Sequence, residues 1–156
     1  MISTMSKAIA FNNKGVRRNG SDPGNCLVCG KRLKRKNTKC CSNKCDNVRR
    51  KSLYVERWLE GKEDGKSGQN TSVIIKEYLF DKYDCKCQEC GWGEKNPHTK
   101  KMPLTIHHVD GNAENNRPEN LKLLCPNCHS LTSTYGGSNK GNGRKKRREY
   151  RKAALV

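Results

Sequence analysis

The sequence predicts a small α+β fold in which cross-links through cysteine supplement a thin hydrophobic core, and three observations predict it. Only 32% of the 156 residues are hydrophobic and 6% aromatic, too few to bury a large apolar centre. Ten cysteines are present, eight of them in short chelating spacings. The stretch 104–135, LTIHHVDGNAENNRPENLKLLCPNCHSLTSTY, passes from a strand pattern through a loop to a second strand and a helix, and holds three of the four histidines.

Cysteines at this density form disulfides in secreted chains or surround metal in cytosolic ones. The chelating spacings favour zinc, and the N-terminal MISTMSKAIAFNNKGVRRNG lacks the apolar run of a signal peptide. No stretch approaches the ~20 apolar residues of a membrane span, so a soluble, cytoplasmic protein with no membrane partner is expected. The formal charge is +18, from 33 Lys and Arg against 15 Asp and Glu. A solvated surface accounts for a few units of charge but not for this excess, which points to a polyanion, with nucleic acid the default partner.

Taken in order, residues 1–22 read as a flexible basic arm. Residues 23–60 form an N-terminal module: CLVCGKRLKRKNTKCCSNKC (26–45), then a helix from Asp46 to Leu59 with Val48, Tyr54, Val55, Trp58 and Leu59 available for one face. The Gly-rich 61–71 reads as a linker. Residues 72–137 form the second domain. Thr71 or Ser72 caps a helix reaching about Tyr83, with Val73, Ile74, Leu79 and Phe80 on its apolar face. A second cysteine module, CKCQECGW (85–92), follows. Met102 to Val109 reads as a strand, 110–118 as a loop, and Leu121 to Leu124 as a return strand. Pro126 opens a helix running to about Thr132. Residues 138–156 are a basic tail.

Two four-cysteine sets emerge. Cys87, Cys90, Cys125 and Cys128 make a two-knuckle set suited to tetrahedral zinc, which takes four thiolates at about 2.3 Å. Cys85 competes with Cys87, although one intervening residue makes a poorer chelate loop. Cys26, Cys29, Cys41 and Cys45 form the other set, with Cys40 as an alternative to Cys41. About two structural Zn2+ are therefore expected. Lys31, Arg32, Lys34, Arg35, Lys36, Lys39, Lys44, Arg49 and Arg50 crowd the first set and suit phosphate contact. The tail offers Arg144, Lys145, Lys146, Arg147 and Arg148 for the same purpose.

The histidines suggest hydrolysis. Cleaving a phosphodiester requires a base to activate water and a cation to neutralise charge, and neutral imidazole serves as base or as ligand. His107 and His108 end a strand, and His129 arrives from the opposing helix. Neighbouring side chains on a regular strand point to opposite faces, so a twist or bulge is expected if both serve one site. His98, in a polar loop, reads as an ordinary surface residue, and Trp58 and Trp92 as packing anchors.

This array resembles the HNH endonuclease superfamily over roughly residues 72–137. The resemblance implies a ββα-metal (His-Me finger) nuclease core framed by a four-cysteine zinc site. It also implies that His108 is the general base, that His107 and His129 hold one catalytic Mg2+ or Mn2+, and that Asn120 braces the loop and orients the base. The whole chain resembles phage-type HNH proteins of the homing kind, with a zinc-knuckle module ahead of the nuclease. Some members carry a further histidine where Ser133 stands here, which leaves water, substrate phosphate, Asp110 or Asn116 to complete the shell. The implied activity is endonucleolytic hydrolysis of double-stranded DNA to 3′-hydroxyl and 5′-phosphate ends, by a monomer or weak dimer, in the cytoplasm of a bacterial host if the chain is phage-encoded. The competing readings are a catalytically silent zinc-containing DNA-binding protein and an RNA-directed nuclease.

Overall fold

A computed structural model describes residues 23–68 and 70–139. The basic arm at 1–22 and the tail cations Arg144, Lys145, Lys146, Arg147 and Arg148 lie outside the described residues. Two compact units divide the chain, Met1–Arg57 and Trp58–Val156.

In the first unit the Cys26–Cys29 knuckle is a tight reversal. Cys26 N donates to Lys31 O at 2.8 Å and Gly30 N to Cys26 O at 2.9 Å. Gly30 sits at φ +73°, in the left-handed region where a Cβ is strained. Leu33 is buried, and its N–H donates to Gly24 O at 2.9 Å. Helix α1 spans Asn43–Leu59, a turn longer at its start than the expected Asp46. The cause is Ser42, whose Oγ accepts Cys45 N at 3.3 Å and whose carbonyl accepts Asp46 N at 3.0 Å, an N-cap that places Cys45 in the first turn.

The second unit opens on the last two residues of α1. Trp58 is 1% exposed, whereas Leu59, expected on the same face, is 42% exposed. The indole of Trp58 donates to Asn116 O at 2.7 Å and meets Tyr78 edge-on, with ring centroids 5.9 Å apart. The stretch expected as a linker is folded in part. Strands β1 (Lys66–Ser67) and β2 (Asn70–Thr71) pair antiparallel, and Thr71 and Ser72 are buried. Polar composition conceals this burial, because Thr71 is held inside by a hydrogen bond to Asn116 and not by apolar packing.

Ser72 then caps α2, Val73–Lys82, its side chain accepting from Ile74 N. The buried face is Ile75, Tyr78 and Leu79, at the i, i+3, i+4 spacing of one helical stripe. Val73, expected inside, is 62% exposed, because position one of the helix lies on the opposite side of that stripe. The knuckle after α2 closes through Cys87 N to Trp92 O at 2.8 Å and Gly91 N to Cys87 O at 2.9 Å. Trp92 contributes its carbonyl, and its 37% exposure departs from the packing anchor expected.

Strands β3 (Thr105–His108) and β4 (Leu121–Leu124) form an antiparallel ribbon, with Thr105 opposite Leu124 and His108 opposite Leu121. The strand expected from Met102 is shorter by three residues at its start. Leu121, Leu123 and Leu124 are buried, and Gln88 is joined to Leu123 twice, by Gln88 N to Leu123 O at 2.9 Å and Leu123 N to Gln88 Oε1 at 2.6 Å. A 3-10 turn, Pro118–Asn120, leads into β4. Helix α3 runs Pro126–Ser130 with Pro126 at its start, and Leu104 and Cys128 pack on a buried cluster of Cys87, Leu124 and Cys125. Asn139, expected in the tail, belongs to the fold, its Nδ2 donating to Gly111 O at 2.7 Å. No helix among the described residues is long and apolar enough to cross a membrane.

Candidate functional site

The structure brings together both four-cysteine sets. The ligand atoms of Cys26, Cys29, Cys41 and Cys45 lie within 4.8 Å of one another, and so do those of Cys87, Cys90, Cys125 and Cys128. Neighbouring sulfurs approach to 3.4 Å (Cys29–Cys41), 3.7 Å (Cys41–Cys45) and 3.7 Å (Cys90–Cys125). Tetrahedral bonds of 2.3 Å would set them about 3.8 Å apart, so both sets fit such an ion. Cys40 and Cys85 fall outside them.

The electrostatics of both sets favour a cation. Burial pushes the Cys87 thiol up, but backbone N–H groups of Cys90, Cys125 and Glu89 outweigh it and bring Cys87 down to about 6. Cys26 likewise reaches about 6, burial being outweighed by N–H groups of Cys29, Val28 and Cys41. Beside these ready thiolates, Cys41 is pushed up to about 12 by bonding to the Cys29 and Cys45 thiols, and Cys128 to about 12 by Cys90 and Cys125. Four sulfurs this close ionise together only around a positive ion.

The second set holds the histidine helix. Cys125 caps α3, its Sγ accepting Cys128 N at 3.4 Å, while its carbonyl accepts His129 N at 2.9 Å. The imidazole of His129 meets that of His107 edge-on with centroids 5.4 Å apart, and it also meets the Tyr135 ring edge-on at 5.2 Å. Burial, and then the charges of His129, His108 and Lys122, hold His107 below the ordinary imidazole value. That keeps it neutral, the form able to ligate a metal. Of the twist or bulge expected if His107 and His108 serve one site, there is no bulge, since the β3–β4 register runs unbroken through both, which leaves the twist of the ribbon. His107 faces His129, and His108 instead meets Asn116, its Nε2 3.1 Å from Asn116 Oδ1.

Between the strands, Asp110 and Asn120 interlock. Asn120 Nδ2 donates to Asp110 Oδ1 at 2.9 Å and to Asn115 O at 2.8 Å, and its Oδ1 accepts Asp110 N at 3.0 Å. Asp110 also accepts from Asn112 N at 2.8 Å and Asn115 Nδ2 at 2.6 Å. Burial raises its carboxyl, but the bonds from Asn115, Asn112 and Asn120 more than reverse this and hold it below the usual value. Asp110, a candidate for a further ligand by sequence, is thus engaged within the loop, whereas the other candidate, Asn116, is engaged outside it by Thr71 and His108.

In the first unit Lys31, Lys34, Arg35 and Lys39 line a groove beside Cys40 and Cys41. Lys36 is exposed nearby. Arg49 and Arg50 are tied to Asp46 at 3.0 and 3.1 Å, which leaves them less available for phosphate than the sequence suggested. His98 is exposed in a turn, as expected of a surface residue. Thr71 and Tyr135 carry no signal in the sequence that marks them as part of the site. Neither lies in a periodic pattern, and their partners are remote or non-strand residues.

A paired ribbon followed by a short helix, with histidines facing across it and a four-cysteine set below, also falls where the chain resembles known proteins. Residues 87–134 match the model of the HNH endonuclease family, so this stretch of the chain carries an HNH endonuclease domain. Among curated proteins it is 49% identical over 59 residues to H-N-H endonuclease F-TflIV of Escherichia phage T5, a match covering 36% of this chain and 24% of that protein. It is also 30% identical over 86 residues to Zorya protein ZorE of Escherichia coli, covering 55% of this chain and 19% of that one. The chain thus spans about a quarter or less of the length of these relatives. No solved structure matches it.

Proposed function

We propose that the chain is a metal-dependent endonuclease that hydrolyses phosphodiester bonds of double-stranded DNA on a ββα-metal core made by β3, β4 and α3. The observation that carries this reading is the meeting of His107 and His129, 5.4 Å apart, at the strand end that also bears His108. His107 and His129 would hold one Mg2+ or Mn2+, which when bound supplies positive charge against the charge developing on the phosphate. His108 takes a proton from water as the water oxygen bonds to phosphorus and the bond to the 3′ oxygen breaks, that oxygen taking a proton from solvent. Products with 3′-hydroxyl and 5′-phosphate ends follow.

Asn120 acts at one remove, fixing the loop between the strands. Each four-cysteine set would hold a structural Zn2+: one steadies α3 and so His129, and the other shapes the groove lined by Lys31, Lys34, Arg35 and Lys39, which suits the DNA backbone. The chain works as a monomer, one strand per encounter, or as a weak dimer, in the cytoplasm of a bacterial host; likeness to a phage T5 endonuclease supports this setting. The decisive experiment incubates supercoiled plasmid with the full chain and Mg2+ or Mn2+, beside His108→Ala. Nicking is expected from the wild type, with a loss of about 10²–10⁴-fold in the variant at unchanged DNA affinity. Equal cleavage by both would refute the role of His108, while tight, salt-sensitive binding without cleavage would identify a silent DNA-binding protein.

A further inference from the structure

Asn116 is 2% exposed, and its side chain is turned toward the residue assigned the chemistry. Its Oδ1 lies 2.6 Å from Thr71 Oγ1 and 3.1 Å from His108 Nε2. A separation of 2.6 Å suits an O–H···O bond, being well short of the roughly 2.9–3.0 Å usual for N–H···O. The amide atom facing Thr71 is therefore the oxygen, and the hydroxyl is the donor. An oxygen so placed can only accept from His108, which puts the imidazole proton on Nε2. Nδ1 keeps its lone pair and has no hydrogen-bond partner among the described residues.

The orientation is disfavoured locally. Asn116 Nδ2 is buried without a partner, although turning the amide over would give it His108 Nε2 as an acceptor. Buried donors are rarely left unpaired unless something else fixes them. Here the Thr71 hydroxyl fixes the side chain, and the Trp58 indole pins the backbone through Asn116 O at 2.7 Å. Thr71 stands on β2, immediately before the cap of α2, so this brace reaches His108 from outside the ribbon that carries it.

We infer that Asn116, held by Thr71, is a positioning residue that fixes His108 as the Nε2–H tautomer and leaves Nδ1 to receive the proton from water. The catalytic consequence rests on His108 being the base, as proposed above, whereas the tautomer does not. The test uses the full zinc-loaded chain labelled with 15N-histidine, with His108 assigned by its loss in His108→Ala. A slowly exchanging N–H on Nε2 of His108 is expected in the wild type, kept in Asn116→Asp, which retains an acceptor, and lost in Asn116→Leu.

Plasmid cleavage by Asn116→Leu should fall about 10²-fold in kcat with KM unchanged, and Asn116→Asp should recover much of it. A proton on Nδ1 in the wild type would overturn the inference. So would an unchanged N–H resonance in a folded Asn116→Leu, or equal cleavage by the two variants. A wild type that shows the expected resonances and cuts no DNA under any metal would sink the nuclease reading and leave the positioning intact.

Discussion

Replacing Asn120 with alanine removes three hydrogen bonds at once: Nδ2 to Asp110 Oδ1, Nδ2 to Asn115 O, and Asp110 N to Oδ1. Each ordinary bond contributes about 1 kcal/mol net. The one to a carboxylate would be worth more if buried, but Asp110 is exposed, and solvent brings it back to about 1 kcal/mol. The expected loss is therefore about 3 kcal/mol, a large part of what holds a small domain folded. Both tryptophans, Trp58 and Trp92, lie in the unit Trp58–Val156, so their fluorescence follows that unit alone through a urea titration. With a slope of about 1–2 kcal/mol/M, the midpoint should fall by roughly 1.5–3 M while the slope stays unchanged.

Acid provides an independent check on the same variant. The depressed Asp110 carboxyl stabilises the wild type above its unfolded value near 3.9, and that contribution disappears as pH falls through the lower folded value. Without Asn120 less remains to lose there, so the two acid-unfolding curves should converge. A shift under about 1 kcal/mol in urea, or parallel acid curves, would refute the interlock of Asp110 and Asn120 as the support of the loop.

Metal analysis of the full chain should find two zinc ions, with Cys128→Ser reducing this to one and unfolding only the unit that holds Trp58; two ions in that variant would break the assignment. Cys41 and Cys128, near 12 without an ion, must give up protons on metal uptake at pH 7, so titrating zinc into apoprotein should acidify a weakly buffered solution. Because Cys26 and Cys87 sit at about 6 without an ion, they are already thiolates at pH 8, so the protons released per zinc should increase when the titration is repeated below pH 6; an unchanged count would contradict this ordering. Gly65→Ala should cost about 2–3 kcal/mol, since φ there is +69° and a Cβ would stand 2.7 Å from Trp58 Nε1, and an unchanged urea midpoint would show that the turn relaxes. Charge reversal at Lys34 and Arg35 should lower the salt slope of DNA binding by about one for each phosphate no longer neutralised, and an unchanged slope would remove this groove from the interface.

Local rules make much of the site legible from sequence. LKLL between Pro118 and Pro126 reads as a short strand because its flanks forbid anything longer, and β4 occupies those four residues. The spacings of the two cysteine sets expose them because a chelate loop is a property of neighbouring residues. What escapes is held by single long-range contacts. Thr71 and Asn116 meet across 45 residues, and neither segment carries a hydrophobic rhythm to announce a buried position. Val73 shows the converse, an apolar residue at a helix start whose phase only the packed neighbours decide.

The two hydrogen bonds between Gln88 and Leu123 limit what can join the ribbon and where the chain can be lengthened. One residue supplies both a backbone N–H and a side-chain amide oxygen to β4, so the ribbon's outer edge is occupied at Leu123 and offers no template there to a strand from another molecule. It also clamps the knuckle to a fixed rung of the ribbon. The turn beyond it closes on itself through Asn96 N to Lys101 O at 2.9 Å and Lys100 N to Asn96 O at 2.8 Å. Extra residues inserted at that tip would lengthen an outward loop and leave the histidine rung where it is, which makes it the natural place to graft a tag or a second specificity element.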